Sequence, residues 1–139
     1  MNDKKALIII GTVFALMSFL GALRVFGPGA QNSILGQLWW LDSQENVSHL
    51  AVAIICLAGA WLLPLTGQKI LIWFFAAALI LISIYSVITF HLLKINVEAP
   101  VEEVIYFTLG DLALWAAVKN QREQNQSTSK FNVNGIKKI

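Results

Sequence analysis

The chain has 139 residues, which is enough for one domain. Hydrophobic residues make up 57% of it and charged residues only 13%. A soluble domain has about a quarter charged residues, so this composition excludes an ordinary soluble globular protein. The formal net charge of +2 is small, and the informative part is how the charges are distributed along the chain.

Four long apolar runs follow one another along the chain. A helix needs about 20 apolar residues to cross the hydrocarbon core of a membrane, and we predict such helices at residues 6–26, 47–65, 70–93 and 101–118. Proline and glycine mark the breaks, with Gly27-Pro28-Gly29 after the first run and a short hairpin at residues 66–69 after the second. The predicted fold is an all-α bundle of four transmembrane helices over residues 1–118, followed by a polar, basic tail over residues 119–139.

The connection after the first run, residues 27–45, is the longest between the predicted spans. It holds an apolar cluster that ends in two adjacent tryptophans, made of Ile34, Leu35, Leu38, Trp39, Trp40 and Leu41. Tryptophan rings are enriched at the membrane–water interface. This pattern predicts an interfacial anchor that lies along the membrane surface.

The basic residues predict the orientation. With four spans, both termini and the second connection share one side, which holds eight of the ten basic residues: Lys4, Lys5, Lys69, Lys119, Arg122, Lys130, Lys137 and Lys138. The other side holds only Arg24 and Lys94. By the positive-inside rule, both termini are predicted to be cytoplasmic, in a multi-pass protein of a bacterial inner membrane.

A shift of 57 residues lays the second predicted span on the fourth and suggests a repeated helical hairpin. Each span then carries a stripe of small residues below a polar end: Ala53, Cys56 and Ala60 in the second, and Gly110, Ala113 and Ala117 in the fourth. Small residues let helices approach closely in lipid. We therefore predict a pseudo-twofold axis along the membrane normal, with the second and fourth spans adjacent.

Two segments resemble a known family. Ile34-Leu35-Gly36 leads into residues 41–50, which contain Asn46, His49 and Leu50, and residues 97–109 look like a second copy of the same motif. Together they resemble a family of small four-span bacterial membrane proteins of uncharacterised function that carry a repeated external Asn-x-x-His-Leu motif. Glu103 and Tyr106 stand where the second copy would have Asn and His. The resemblance covers roughly residues 6–118 and implies a fold and a location, but no reaction.

His49 falls in the first turns of the second span and is the first candidate for chemistry. We expect it to make a buried hydrogen bond to Tyr106 or Glu103 that fixes a helix pair. A proton carrier or a metal or haem ligand remains open as an alternative. In that alternative His49 and His91 ligate a haem, or bind a metal ion together with Glu102 or Glu103.

Asp111 is an ionisable residue near the middle of the fourth span, about 15 Å along the helix from its start. Such groups are costly in a membrane and normally face a partner or a cavity. Because Gly110 and Ala113 belong to the small-residue stripe, we expect its carboxyl beside a helix contact. It could relay protons or cations, or form a hydrogen-bond clamp to Ser83, Ser86, Tyr85 or a partner subunit.

These patterns favour a non-enzymatic protein that is an accessory or structural subunit of a larger membrane assembly. The sequence has no catalytic constellation, no phosphate-binding glycine loop and a single cysteine. One alternative is a small transporter or proton-conducting module that uses Asp111 and the cluster His49, Tyr106 and Glu103. The other is the haem or metal binder. The expected partners are lipids and other membrane subunits or further copies of the chain, with no nucleic acid and no cofactor.

Overall fold

Four long α-helices make up the computed structural model, which describes residues 1–93 and 100–136. They are α1 (Asp3–Ala22), α2 (Ser43–Leu62), α3 (Leu65–Leu93) and α4 (Pro100–Ile136), and two short 3-10 helices, Ala30–Asn32 and Gly36–Leu38, lie between α1 and α2. No β-strand occurs in these two ranges. The all-helical fold class is therefore confirmed.

Three of these helices have the length and composition of membrane spans. They are α1, α2 and the part of α3 that covers Leu65–Ile88. This indicates a helical membrane protein. In α4 the predicted span of residues 101–118 contains Glu102, Glu103 and Asp111, and α4 is not among the three, so the fourth crossing remains a prediction.

The helix ends differ from the predicted ones for local reasons. Before α2, the Asp42 side chain accepts from the Glu45 backbone N–H at 2.7 Å, and the Glu45 side chain accepts from the Asp42 N–H at 2.9 Å. This capping box satisfies two free amides, so α2 begins four residues before the predicted residue 47.

The hairpin predicted at residues 66–69 is wrong in position: only Leu63 and Pro64 separate α2 from α3. The Gln68 side chain closes this turn by donating to the carbonyls of Ala60 and Leu63.

The connection after α1 folds back on the bundle. α1 ends at Ala22 instead of the predicted Phe26, and Arg24 and Gly27 turn the chain with φ angles of 57° and 45°. The Leu41 N–H donates to the Phe26 carbonyl at 3.1 Å, and the Phe26 and Trp39 rings stack with centroids 4.1 Å apart. Trp39 thus packs on the turn that follows α1, while Ile34 and Leu38 in the same cluster remain exposed.

The bundle consists of two hairpins, because α1 packs most extensively on α2, and α3 on α4. α1 also contacts α3 and α4. A β-carbon added to Gly11 would meet Leu57 and Cys56 of α2 at 2.8 and 3.0 Å. The six predicted helix-packing residues are all buried: Ala53, Cys56, Ala60, Gly110, Ala113 and Ala117. α2 and α4 are not among the extensively packed pairs of the described residues, but they meet at His49, Glu102 and Tyr106, and the repeat with its pseudo-twofold axis remains a prediction.

The start of α1 and the middle of α4 lie at the same end of the bundle. The Asn120 side chain donates to Asp3 Oδ1 at 2.6 Å, and the Lys4 amine lies 3.8 Å from the centre of the Trp61 ring near the end of α2. The connection between α1 and α2 is therefore at the opposite end. Beyond Asn120, α4 continues as a helix to Ile136, where the sequence had predicted a separate polar tail.

Gly110 offers a direct test of the α3–α4 packing. A β-carbon there would lie 2.8 Å from Ile80 Cγ1 and 3.2 Å from the Ile80 backbone nitrogen. Because a backbone atom cannot move aside as a side chain can, Gly110→Ala is expected to cost about 1 to 3 kcal/mol of unfolding free energy. Denaturant unfolding in detergent micelles measures it. Gly29→Ala is the matched control, since a β-carbon there would have no atom within 4 Å. Equal losses of unfolding free energy in the two variants would contradict the close packing of Gly110 against Ile80.

Candidate functional site

The candidate site lies where α2 and α4 begin, at the end of the bundle that holds the α1–α2 connection. His49 comes from the second turn of α2, and Glu102 and Tyr106 come from the first turns of α4. Residues four apart share one face of a helix, so Glu102 and Tyr106 point the same way. The two helices thus bring three titratable side chains to one place.

These three side chains form one hydrogen-bonded cluster. His49 Nε2 lies 2.6 Å from the Tyr106 hydroxyl and 2.9 Å from Glu102 Oε1. The Tyr106 hydroxyl donates to the same Glu102 oxygen at 2.5 Å. The side chains of His49 and Glu102 are only 4% and 1% exposed. A buried carboxyl group needs hydrogen-bond partners, and His49 and Tyr106 both provide one at Glu102 Oε1.

The hydrogen bonds assign the proton on the His49 ring. The Tyr106 hydroxyl donates its proton to Glu102, so the Tyr106 oxygen can only accept a hydrogen bond from His49. An ionised Glu102 can likewise only accept. Nε2 faces these two oxygens and therefore carries a proton. His49 Nδ1 and Glu102 Oε2 are both buried and have no partner among the described residues.

Phe14 of α1 covers the cluster. Its ring centroid lies 5.3 Å from that of His49 and 5.9 Å from that of Tyr106. Phe14 is itself 2% exposed, so it keeps water from this side. The cluster therefore links α1, α2 and α4 around a region of low polarity, where each hydrogen bond is electrostatically stronger than in water.

Asn46, the first residue of the motif, lies one turn before His49 and contacts the end of α1. The Ser18 hydroxyl donates to its backbone carbonyl at 3.1 Å. A β-carbon on Gly21 would lie 2.6 Å from Asn46 Oδ1, so the absence of a side chain on Gly21 makes room for it. Asn46 thus helps to hold α2 against α1.

The structure brings His49 and Tyr106 together but places Glu103 elsewhere. Glu103 accepts from the Ser86 hydroxyl of α3 at 2.5 Å, and Glu102 takes the place that the sequence had assigned to Glu103. The shift of 57 residues aligned Glu103 with Asn46, although the two adjacent glutamates point about 100° apart around the helix. The four-residue spacing between Glu102 and Tyr106 is the signal that could have identified the right one.

A cleft of about 430 Å³ opens beside the cluster, and we call it the His49 cleft. Its lining combines acidic, aromatic and aliphatic side chains and comprises Phe14, Asp42, Gln44, Glu45, Ser48, His49, Val52, Leu79, Ile82 and Tyr106. Among the described residues, no lysine or arginine lines it. The cleft therefore has the character of a small-molecule site with negative charge at its rim.

Asp111 lies apart from this cluster. Its side chain is exposed on the outer surface of α4, whereas Gly110 and Ala113 are buried, so the expectation that the carboxyl sits beside a helix contact is wrong. The predicted clamp is not formed by the two serines either, because Ser83 donates to the Leu79 carbonyl and Ser86 to Glu103. Asp111 instead lines a shallow surface depression together with Trp115 and Arg122.

The geometry offers no ready metal site in the part of the chain that the structure describes. There, no three His, Cys, Asp or Glu side chains are grouped so that they could hold a metal ion. The side chain of His91 lies outside the described residues, so the predicted pairing of His49 with His91 around a haem or a metal remains a prediction.

Comparison with known proteins adds no family to these observations. No protein-family model, no curated protein and no solved structure matches this chain. The resemblance to the four-span family with the Asn-x-x-His-Leu motif therefore remains a prediction, and the function has to be argued from the geometry.

Proposed function

We propose that the chain is a non-enzymatic integral membrane protein that serves as a subunit of a larger membrane assembly. The observation that carries this proposal is the position of Asp111 on the outer surface of α4. In a four-span bundle this carboxyl lies about 15 Å from the start of the span, close to the middle of the membrane. A carboxylate exposed to lipid at that depth costs about 2.5 to 3.5 kcal/mol on insertion scales, so the surface around it favours a protein partner.

No ion pair to Asp111 occurs in the part of the chain that the structure describes, although Arg122 lines the same surface depression. Lys119 is eight residues further along α4, about 12 Å along the helix axis. Its amine lies 5.3 Å from the centre of the Trp115 ring and 4.0 Å from Glu123 Oε1. The partner therefore has to provide a cation or a hydrogen-bond donor.

The surroundings of Asp111 suit a helix from another protein. Phe107, Thr108 and Trp115 lie within one turn of it on the same outer face and are exposed, which gives an aromatic, mostly apolar contact surface. A second copy of this chain, related by a twofold axis at this surface, would bring a second Asp111, and like charges repel unless one is protonated. This favours a different chain with a basic or donor side chain at the matching depth.

Isolation from native membranes in a mild detergent tests this proposal. The chain is expected to co-purify with at least one other membrane protein in a fixed ratio, which mass spectrometry identifies. A chain that leaves the membrane alone, at its monomer mass, would contradict the proposal.

The proposed topology has four spans with both termini in the cytoplasm of a bacterium. It is supported by the contact between Asp3 and Asn120 at one end of the bundle and by the basic residues on that side. A reporter fused after Ile139 is expected to read cytoplasmic, and one inserted at Asn32 is expected to read external. The reverse pattern, or opposite locations for the two termini, would rule the topology out.

A second candidate function is a small proton-handling or transport module. Its support is the buried cluster of His49, Tyr106 and Glu102, since such groups in membranes often exchange protons. Asp111 points away from this cluster, so a relay through both is not supported. Vesicles that contain the chain should then conduct protons faster than empty vesicles, and Glu102→Gln should stop this flux. Equal flux in empty and loaded vesicles would remove this candidate.

A further inference from the structure

An apolar groove of about 460 Å³ runs between α3 and α4 on the outer surface of the bundle, and we call it the α3–α4 groove. Its walls are Ile84, Val87 and Ile88 of α3 and Val104 and Phe107 of α4. These five side chains are between 45% and 66% exposed, so the groove opens away from the bundle. Among the described residues, no lysine or arginine lines it.

The groove is continuous with the surface around Asp111. Val104, Phe107, Asp111 and Trp115 follow one another along α4 at intervals of three, four and four residues. These intervals keep side chains on one face of a helix, and all four are exposed. The groove and Asp111 therefore form one surface that extends about 16 Å along α4.

The shape and charge of this surface together favour a helix as its occupant. Spacings of three and four residues are those at which one helix contacts another. A lipid acyl chain would fill the apolar part of the groove, but it offers Asp111 neither a cation nor a hydrogen-bond donor. A helix that carries a basic residue provides both the packing and the charge, and each of the two ionised groups then offsets the cost of the other in the membrane.

We infer that a transmembrane helix of the partner lies in the α3–α4 groove, with a lysine or arginine opposite Asp111. A large apolar side chain, four or seven residues from that basic residue on the same face, then packs between Ile84 and Phe107. The inference rests on the proposed function, and it adds α3 to the contact and names the side chains that the partner has to present.

Photo-crosslinking from α3 in native membranes tests whether the groove is occupied by a protein. A photoreactive amino acid is placed at position 84 on α3, at position 115 on α4, and at position 82 as the control. Ile82 and Ile84 are equally exposed, at 45%, but Ile82 lines the His49 cleft on a different side of α3. Positions 84 and 115 are expected to yield adducts with the same protein, and position 82 is expected to yield none.

The chemistry of the partner is read from the adducts. Fragment sequencing should locate the contact in an apolar segment of about 20 residues that contains a lysine or an arginine. Asp111→Lys in this chain should abolish co-purification of the partner, because like charges then face each other. Exchange of the partner's basic residue for aspartate should restore it.

A substitution that fills the groove completes the test. Ile84→Trp is expected to lower the amount of co-purified partner about tenfold, whereas Ile82→Trp should leave it unchanged. Both variants should unfold at the same denaturant concentration as the natural chain, since both positions are exposed. A protein adduct from position 115 with only lipid adducts from position 84, or a contact segment without a basic residue, would overturn the inference and leave the proposed function standing. The absence of protein adducts from both positions would contradict both.

Discussion

Replacing His49 with phenylalanine is expected to lower the free energy of unfolding by about 1 to 3 kcal/mol. The change keeps an aromatic ring against Phe14 but leaves the carboxyl of Glu102, which is 1% exposed, without its hydrogen bond from His49. Removing one member of a buried hydrogen-bonded pair costs more than removing an exposed one, because the remaining buried polar group cannot turn to water instead. Unfolding of the purified chain by sodium dodecyl sulfate in mixed micelles measures the change.

A double-mutant cycle attributes this cost to the pair. His49→Phe together with Glu102→Leu should recover much of the stability, since the cluster then holds no buried charge. Ser83→Ala is the control: its hydroxyl donates to a carbonyl of its own helix at 2.9 Å, and a change within about 0.5 kcal/mol is expected. A loss of only about 0.6 kcal/mol or less in His49→Phe, the average for hydrogen bonds between membrane helices, would show that Glu102 does not depend on His49.

Asp111→Leu is expected to abolish co-purification with the partner while leaving the isolated bundle as stable as before. The carboxyl is exposed on α4, so its removal breaks no contact that the structure shows inside the chain. An exposed leucine in the middle of a span is more stable in lipid than an aspartate, so the insertion of the chain should not suffer. The stoichiometry of the complex isolated in mild detergent and the unfolding free energy of the isolated chain provide the two measurements.

Two further variants separate charge from shape at this position. Asp111→Asn keeps the size and some hydrogen-bonding capacity, and it should retain part of the assembly. Thr12→Leu replaces an exposed polar side chain on α1, on a different helix, and should leave the assembly intact. If Asp111→Leu also unfolds the bundle, or if it assembles like the natural chain, the carboxyl does not act at a subunit contact.

The sequence predicted the number of helices because long apolar runs and Gly-Pro breaks are local signals. The predicted ends of the helices were less accurate, because helix ends depend on capping side chains and turns. The Asp42–Glu45 box could have been identified from the three-residue spacing, and it explains the early start of α2. The α2–α3 turn depends on the Gln68 side chain reaching back to two carbonyls, and no periodicity in the sequence shows such a contact.

The candidate site was predictable only in part. The shift of 57 residues paired His49 with Tyr106, and the structure joins these side chains. The shift alone aligned Glu103 with Asn46, whereas the four-residue spacing that puts Glu102 and Tyr106 on one face of α4 would have selected Glu102. The outward position of Asp111 was not predictable in this way, because helical spacing shows which residues share a face but not which neighbour that face meets.

The most direct measurement is photo-crosslinking from the Asp111 face in native membranes. A photoreactive amino acid is placed at position 108 or 115, on either side of Asp111, and at position 12 on α1 as the control. If the chain is a subunit held through this face, positions 108 and 115 yield a discrete adduct with one other membrane protein, Asp111→Leu removes it, and position 12 yields none. Lipid adducts alone at all three positions would contradict the proposed function.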